Sequence, residues 1–353
     1  MIFRPAMCCT GMTSNPVIDV RLPARAELDA AEPDWLVLPD SRADTLLDWI
    51  GESGKLYRLG KSHSDIAGYY RLENAAGRQF IKIVLNQYLD SQIAADEIAR
   101  FAASHVNAAT LLGGYPKRVA TEHSALAYSW IDQAGVSPST MCYQLGRELA
   151  RLHQVLRGYP RSGEVQANGI QRLTALQTFY DNHRAEIVSS RQFPVSARAH
   201  MSESCDLFEL FEDSCQVVHG DLNAGNLRWD GNRLWFFDFE DARFAWFPVC
   251  LDVAFAIERH ALINEPNDER AFANARELLR GYCDVSGQQP FAVQGSLLAS
   301  IKWWGVRSLI MLAGFEQRGE GWPASEWRKF EKLFKHLNER VTLLQRLERE
   351  DFG

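Results

Sequence analysis

Two stretches, Val217-Val-His-Gly-Asp-Leu-Asn-Ala-Gly-Asn226 and Phe236-Phe-Asp-Phe-Glu-Asp241, hold the densest cluster of polar side chains in the chain. The turn at 230–232 between them predicts a hairpin with strands over 226–229 and 233–239. Such a hairpin returns Asp238 to the loop that carries Asp221 and Asn226. We therefore expect three oxygen-bearing side chains to converge, with no thiolate among them.

These residue types suit phosphoryl transfer, in which a protein orients an acceptor hydroxyl and neutralises phosphate charge with metal ions. An aspartate on a rigid loop can accept the hydroxyl proton, which makes Asp221 the candidate base. Asn226 and Asp238 offer the oxygen ligands that Mg²⁺ prefers. His219 follows two valines, and we expect this second candidate catalytic residue to brace the loop by hydrogen bonds rather than to transfer a proton.

A single lysine, Lys82, lies inside the apolar strand predicted over 79–85. Burying an unpaired ammonium is costly, so this lysine needs an anionic partner, and phosphate oxygens would supply one. Glu97, on the helix predicted to follow, is the candidate ion-pair partner that positions Lys82. Asp96 is its rival for that role.

A loop over 60–67 lies between two runs that predict strands, 56–59 and 66–72. Its backbone N–H groups could cover the phosphates of a nucleotide. The candidate nucleotide-binding residues of this loop are Gly60, Ser62 and Ser64. With one glycine and two serines, the loop departs from a Gly-x-Gly-x-x-Gly sequence.

The motif HGDLNAGN, followed by FFDFEDA and by Asp252 beyond Pro248, resembles the pattern of the aminoglycoside phosphotransferase and choline kinase superfamily. The helix predicted over 145–153, which ends in Leu-His, resembles the superfamily's helix after the hinge. The resemblance runs from about residue 56 to 258. It implies a protein-kinase-like fold, ATP or GTP as donor, Asp221 as base, Mg²⁺ held by Asn226 and Asp238, and a supporting role for Asp252.

The pattern of elements changes near residue 131, from predicted strands around a helix to long amphipathic helices. We therefore expect an α+β, bilobal protein-kinase-like fold, with a small antiparallel-sheet lobe and a larger, mainly helical lobe. The predicted domains are an N-terminal extension (1–39), a small nucleotide-binding lobe (40–130) and a helical catalytic and acceptor-binding lobe (131–353). The main predicted helices are 40–50, from 91, from 138, 171–187, 269–282, 293–316 and 326–347.

The composition is that of an ordinary folded protein, with 46% hydrophobic and 24% charged residues and a net charge of -7. This mild acidity argues against nucleic acid as a partner, because binding to a phosphate backbone needs a basic stripe. Seven irregularly spaced cysteines without a Cys-x-x-Cys pair argue against a disulfide framework or a zinc site. Without a stretch of about 20 apolar residues, we predict a cytoplasmic protein with no membrane partner.

The predicted acceptor is a small molecule with a hydroxyl group, of aminoglycoside, amino-alcohol or sugar type. The alternatives are a protein kinase, a silent nucleotide-binding scaffold and a metal-dependent hydrolase.

Glu240, Asp241 and Glu258 could form an acidic pocket for an amine, although ordinary packing explains them nearly as well. We expect the pair Trp303-Trp304 to pack in the core rather than to stack on an acceptor. The sequence leaves the oligomeric state open.

Overall fold

The computed structural model describes residues 35–59, 66–202, 206–211, 215–291, 295–319 and 324–350. Most of the predicted N-terminal extension lies outside these residues. So do the candidate phosphate-covering residues Gly60, Ser62 and Ser64. The strands that flank this loop are described, and they place its two ends at one end of the small lobe's sheet.

The small lobe is built on a six-stranded antiparallel sheet with the order β1-β2-β3-β4-β7-β6. Its strands are β1 (Trp35–Val37), β2 (Lys55–Leu59), β3 (Gly68–Asn74), β4 (Gly77–Leu85), β6 (Lys117–Ala120) and β7 (His123–Ser129). The apolar run predicted over 79–85 forms the buried part of β4, between β3 and β7. In this register Lys82 lies opposite Tyr69 on one side and Leu126 on the other.

The first strand corrects the predicted boundary of the small lobe. β1 falls inside the stretch assigned to the N-terminal extension, yet Trp35 pairs with Leu59 in the sheet. Leu38, directly after β1, is buried in the core under the sheet. The described part of the small lobe therefore starts before residue 40. The sequence did not indicate this, because a three-residue edge strand is too short to give a clear signal.

Two helices accompany the sheet, α1 (Asp40–Ile50) and α2 (Leu89–Ala102). α1 has the predicted bounds and packs its leucines against the sheet. α2 instead contributes Ala95, Ile98 and Ala102 to the hydrophobic core of the larger lobe. The second helix therefore packs against the larger lobe, and its residues Ala95 and Asp96 also line the cleft.

The larger lobe is mainly helical. Its helices are α3 (Pro138–Leu156), α4 (Ser162–Ser189), α5 (Arg198–Ser202), α6 (Val249–Ile257), α7 (Asp268–Ser286), α8 (Ser296–Gln317), α9 (Ala324–Glu339) and α10 (Val341–Glu348). α3 begins as predicted, with Ser137 accepting a hydrogen bond from the Thr140 N–H at 3.2 Å and Pro138 in the first turn. The prediction of a single helix over 326–347 is wrong, because the helix is interrupted at Arg340, which separates α9 from α10.

Short strands in the larger lobe carry the polar loop. They are β5 (Asn107–Ala108), β8 (Cys215–Val217), β9 (Leu227–Trp229), β10 (Leu234–Phe236) and β11 (Trp246–Pro248). β9 and β10 form the predicted antiparallel hairpin, and β10 also pairs in parallel with β5. β8 pairs with β11, so strands support both ends of the segment 218–245.

Candidate active site

The buried carboxylate of Asp252, on α6, holds the loop 218–226 in place. Its two oxygens accept hydrogen bonds from the backbone N–H groups of His219 and Gly220, each at 2.9 Å. His153, at the end of α3, donates from Nε2 to the same carboxylate at 3.2 Å, while its Nδ1 lies 3.0 Å from the Tyr282 hydroxyl. Charge-assisted hydrogen bonds of this kind are strong, so the loop is held in one conformation.

His219 braces the loop from inside and is fully buried. Its Nε2 lies 3.0 Å from the carbonyl oxygen of Phe237, which follows β10. Its Nδ1 accepts from the backbone N–H of Asp221 at 3.3 Å, which assigns the proton to Nε2. Burial lowers the pKa of His219 below its ordinary value, so the ring is neutral near pH 7. These contacts fit the bracing role predicted for this histidine.

Gly220 is a position where the backbone requires glycine. Its φ is +78°, in the left-handed region that other residues rarely adopt. A Cβ atom at this position would lie 2.7 Å from the Cβ of Ala245. The loop therefore turns sharply here, and the turn places the next residue, Asp221, at the cleft.

The side chains of Asp221 and Asn226 contact each other across the loop. The Asn226 Nδ2 donates to the Asp221 carboxylate at 3.0 Å and to its backbone carbonyl at 2.9 Å. The Asn223 amide donates to the other carboxylate oxygen of Asp221. Because its NH₂ group is used in this way, Asn226 keeps its side-chain oxygen for another partner.

Asp238 reaches the same place from the hairpin. The backbone N–H of Phe237 donates to the Asn226 carbonyl at 2.9 Å, which positions the next residue, Asp238, beside the loop. Asp238 has a φ of +60°. Among the described residues other than glycine, it is the one with a left-handed backbone conformation. Strain of this kind is often retained at functional sites, because the surrounding structure holds it in place.

Lys82 lies across the cleft from the loop, with only 6% of its side chain exposed. Its ammonium is 3.3 Å from the Asp238 carboxylate and also pairs with Glu240. Lys82 thus contacts Asp238, the Phe237 N–H joins the hairpin to the Asn226 carbonyl, and Asn226 donates to Asp221. Glu240, one of three acidic residues that could have formed an acceptor pocket, contacts Lys82 instead.

The predicted partner of Lys82 on α2 is not where we expected it. Glu97 is 46% exposed and pairs with Arg161, at the start of the larger lobe's second helix. Its rival Asp96 is buried, lines the cleft with Lys82, and accepts from the Leu111 N–H at 2.6 Å. Adjacent residues of a helix point about 100° apart, so only one of them can face the cleft.

Lys82 and the hairpin line a cleft that is open to solvent. Aromatic rings form much of its wall, contributed by Tyr69, Phe80, Tyr128, Phe237 and Phe239. The rings of Tyr69 and Phe80 stack with their centres 5.7 Å apart. An aromatic chamber that ends in a lysine and two carboxylates suits a planar base attached to phosphates.

The other two residues of the possible amine pocket have different surroundings. Asp241 is buried and pairs with Arg172 at 3.3 Å, so it belongs to the packing between α4 and the loop. Glu258 is also buried, and it lies 2.9 Å from Arg259. The two tryptophans pack in the core as predicted: Trp303 donates to the Leu207 carbonyl at 3.0 Å, and its neighbour Trp304 donates to that of Leu251 at 2.7 Å.

Other metal and membrane features concern the described ranges. Within them, no three or more His, Cys, Asp or Glu side chains lie close enough together to hold a metal ion. The four cysteines in these ranges, Cys142, Cys215, Cys250 and Cys283, are free thiols. Among the helices seen here, not one has the length and apolar character that crossing a bilayer requires.

The two lobes, with a lysine in the small sheet and a polar loop and hairpin facing it, define a protein-kinase-like fold of the α+β class. A model of the phosphotransferase enzyme family (APH) matches residues 64–284, more than half of the chain. The chain therefore belongs to the phosphotransferase enzyme family, which confirms the resemblance inferred from the 217–252 segment.

Relatives with known names are similar to the chain at low identity. The amicoumacin kinase of Bacillus subtilis (strain 168) is 23% identical over 111 residues, and this match covers 31% of each protein. The chain is thus matched to about a third of the length of this curated relative.

Solved structures give matches over a longer part of the chain. A spectinomycin phosphotransferase in complex with ADP and spectinomycin has a TM-score of 0.50 at 14% identity, over 88% of this chain and 98% of that one. An aminoglycoside 2'-phosphotransferase in complex with GDP has a TM-score of 0.52 at 13% identity, over 86% and 99%. At these identities the likeness shows the fold, and it confirms the predicted fold class.

Proposed function

We propose that the protein is a small-molecule kinase that transfers the γ-phosphoryl group of ATP or GTP to a hydroxyl group of its acceptor. The observation that carries this proposal is one arrangement of three contacts. Lys82 pairs with Asp238, the backbone of Phe237 ties this hairpin to Asn226, and Asn226 donates to Asp221. Phosphoryl transfer needs positioned charges more than covalent catalysis, and this set supplies them at one cleft.

In this proposal Asp221 is the base. Its carboxylate is held by amide donors from Asn223 and Asn226, which fix its orientation without adding a positive charge. It therefore remains able to accept the proton of an acceptor hydroxyl. Lys82 binds the phosphates of the donor, which would replace the carboxylates of Asp238 and Glu240 as its partners.

The residues beside Asp221 fit a magnesium ion bound together with the nucleotide. The Asn226 NH₂ group donates to Asp221, which leaves its side-chain oxygen available, and Asp238 adds a carboxylate from the hairpin tied to the Asn226 backbone. Two protein oxygens are enough, because Mg²⁺ keeps waters and takes further ligands from substrate phosphates. When bound, the ion would neutralise charge on the phosphates. A cytoplasmic location, where ATP or GTP and Mg²⁺ are abundant, is part of the same proposal.

In this proposal the aromatic side chains of the cleft bind the base of the nucleotide. Phe80 lies two residues before Lys82 on β4, so both side chains project from the same face of the strand. A nucleotide with its phosphates at Lys82 would therefore have its base beside Phe80 and Tyr69, which offer aromatic faces for stacking. The neighbour structures that contain ADP and GDP are similar in fold, which supports a nucleotide in this cleft.

The test is a coupled assay that measures release of nucleoside diphosphate with a panel of hydroxylated small molecules. The panel includes aminoglycosides, spectinomycin, amicoumacin, amino alcohols, sugars and hydroxylated amino acids. We expect magnesium-dependent stabilisation by ATP or GTP, and turnover with at least one class of acceptor. Lys82→Met should weaken nucleotide binding, whereas Lys55→Met, an exposed lysine at the start of β2, should not. Failure of both nucleotides to stabilise the protein would overturn the proposal.

A further inference from the structure

Arg71 lies on the face of the small lobe's sheet that lines the cleft. In the pairing of β3 with β4, Tyr69 lies opposite Lys82. Arg71, two residues further along β3, lies opposite Phe80. Residues paired in this way point to the same face of a sheet, so Arg71 shares the face of Lys82 and Phe80. A strand rises about 3.4 Å per residue, which places Arg71 about 7 Å from Tyr69, on the side away from Lys82. Arg71 is therefore at the level of Phe80, where we place the base of the nucleotide.

Three aromatic rings hold the Arg71 guanidinium. Its central carbon lies 4.4 Å from the ring centre of Tyr57, on β2, and 5.4 Å and 5.6 Å from those of Trp35 and Trp130. The rings of Trp35 and Trp130 also contact each other edge to face, with their centres 5.6 Å apart. Cation–π attraction holds a guanidinium among such rings and restricts its movement. Trp35, Tyr57, Arg71 and Trp130 form the arginine cluster.

Trp130 connects the arginine cluster to the segment between the lobes. It directly follows β7, whose residue Tyr128 lines the cleft. Its indole N–H donates to Asp132 Oδ1 at 3.0 Å, and the other oxygen of Asp132 pairs with Arg78 at 2.7 Å. Three strands lie between β1 and β7 in the sheet, so the contact between Trp35 and Trp130 crosses the cleft-side face. The guanidinium is thus held beside the aromatic rings of the cleft.

The Arg71 guanidinium has donors that the protein does not use. Its Nε lies 3.2 Å from Glu73 Oε1, so the charge already has a carboxylate partner. Its two NH₂ groups make no hydrogen bond to any residue in the ranges that the structure describes. Only 18% of the Arg71 side chain is exposed, which limits the access of water to these groups. Donors in this position mark a place for an acceptor on a ligand.

The phosphates of the nucleotide are poor candidates for this acceptor. In the proposed site they bind at Lys82, on the other side of the base. A guanidinium that is paired with Glu73 also has little net charge left to attract an anion. A neutral carbonyl oxygen needs donors rather than net charge. The purine bases differ here, because guanine has adjacent acceptors at O6 and N7, whereas adenine has an amino donor in place of O6.

We propose that Arg71 binds the O6 and N7 edge of a guanine base, which makes GTP the preferred donor over ATP. The inference rests on the proposed kinase activity and names its donor. Phe80 and Tyr69 contact the face of the base, and Arg71 recognises its edge through two parallel hydrogen bonds. The three rings of the arginine cluster are positioning residues that hold the guanidinium in place. Through Trp35, the edge strand β1 contributes to the nucleotide site.

The experiment compares nucleoside diphosphates that differ in the base. Guanine and hypoxanthine carry a 6-oxo group, and adenine carries a 6-amino group. 2-Aminopurine has a hydrogen at position 6 but keeps the 2-amino group of guanine. Isothermal titration calorimetry with Mg²⁺ measures the binding of GDP, IDP, ADP and 2-aminopurine riboside diphosphate. We expect GDP and IDP to bind about 10- to 100-fold more tightly than the other two, the discrimination given by one bidentate contact to a base.

Variants of the cluster test whether Arg71 recognises the base. Arg71→Met keeps an unbranched side chain but removes the donors, so the affinities for GDP and ADP should become nearly equal. Arg71→Lys keeps the charge without the paired donors and should retain only part of the preference. Trp35→Ala should also reduce the preference, because the guanidinium loses one of its rings, whereas a purely structural role would weaken both nucleotides equally. The matched control is Arg118→Met on the exposed side of β6, which should behave like the wild type.

Four results would overturn the assignment of Arg71. They are equal affinity of the wild type for GDP and ADP, tighter binding of ADP, binding of 2-aminopurine riboside diphosphate as tight as that of GDP, and an Arg71→Met variant that keeps the wild-type preference. In each case the kinase proposal would stand, because a nucleotide would still bind with Mg²⁺. If none of the four nucleotides bound to the wild type, the kinase proposal itself would fail.

Discussion

The loop 218–226 and the turn 258–262 lie side by side in the larger lobe but treat their polar groups in opposite ways. In the loop, the Asp252 carboxylate and the His219 ring satisfy successive backbone N–H groups, and the amides of Asn223 and Asn226 hold Asp221. In the turn, Glu258 pairs through Oε2 with Arg259, and its buried Oε1 has no donor among the described residues. The polar groups of the loop are therefore satisfied more completely than those of the turn.

This difference matters because the proposed transfer uses the loop. The base must be in place before reaction, because charges that are already oriented need no reorganisation during the transfer. Changes in the loop should therefore affect both turnover and folding, whereas changes in the turn should affect mainly the pH dependence of stability.

The largest effect is expected at the base. Asp221→Asn keeps the size of the side chain and one acceptor oxygen, but it removes the group that takes the hydroxyl proton. We expect kcat to fall by about 10³-fold, within the range of general base catalysis, with nucleotide binding unchanged. Measurement of kcat and of thermal stabilisation by Mg-ATP checks both parts. Asp181→Asn, on the exposed face of α4, is the control, and unchanged turnover in the Asp221 variant would refute the assignment of the base.

A second test addresses the shape of the loop. Gly220→Ala places a side chain at a φ of +78° and brings its Cβ to 2.7 Å from the Cβ of Ala245. The backbone and the close contact together should cost about 3 kcal/mol in the free energy of unfolding. Gly287→Ala is a matched control, because its φ is +73° with no atom within 4 Å, and it should cost only about 1 kcal/mol. Equal losses in urea unfolding would show that the contact with Ala245 is unimportant.

The loop and hairpin were predictable from the sequence because their chemistry is local. The spacing of Asp221 and Asn226, and the turn that returns Asp238, are written in one stretch of about twenty residues. The same is true of Lys82, whose charge stands out inside an apolar strand. Patterns of this kind can be read from the sequence, because the hairpin and the strand form from residues that are neighbours in the chain.

The partners of these residues were harder to predict because they come from distant parts of the chain. Whether Glu97 or Asp96 faces the cleft depends on the rotation of α2 against the larger lobe, and the sequence favoured the wrong one of the two. Glu240 lies on Lys82 only because two elements 158 residues apart meet. His153 supports Asp252 from the end of α3, and its only sequence signal was the Leu-His ending of that helix.

A smaller effect is expected where the loop and the turn meet. Burial lowers the pKa of His260 to about 4, from an ordinary value of 6.5. A lowered pKa means that the stabilising contribution is full above pH 6.5 and is lost as the pH falls towards 4. The wild type should therefore lose about 2 kcal/mol more than His260→Gln over this range, after allowance for partial exposure. Urea unfolding at pH 7.5, 5.5 and 4 measures the difference, and parallel pH profiles would contradict the prediction.

The last effect concerns the turn itself and changes the pH profile of stability. Burial raises the pKa of Glu258, while Arg259 and Lys329 oppose this change. For a raised pKa, the stabilising contribution is present below the ordinary value of 4.5 and is lost as the pH rises through the folded-state value. Glu258→Gln does not titrate, so its stability should gain on that of the wild type as the pH rises from 4.5 to 7.5. Urea unfolding of the two proteins over this range measures the gain, and a constant difference between them would refute it.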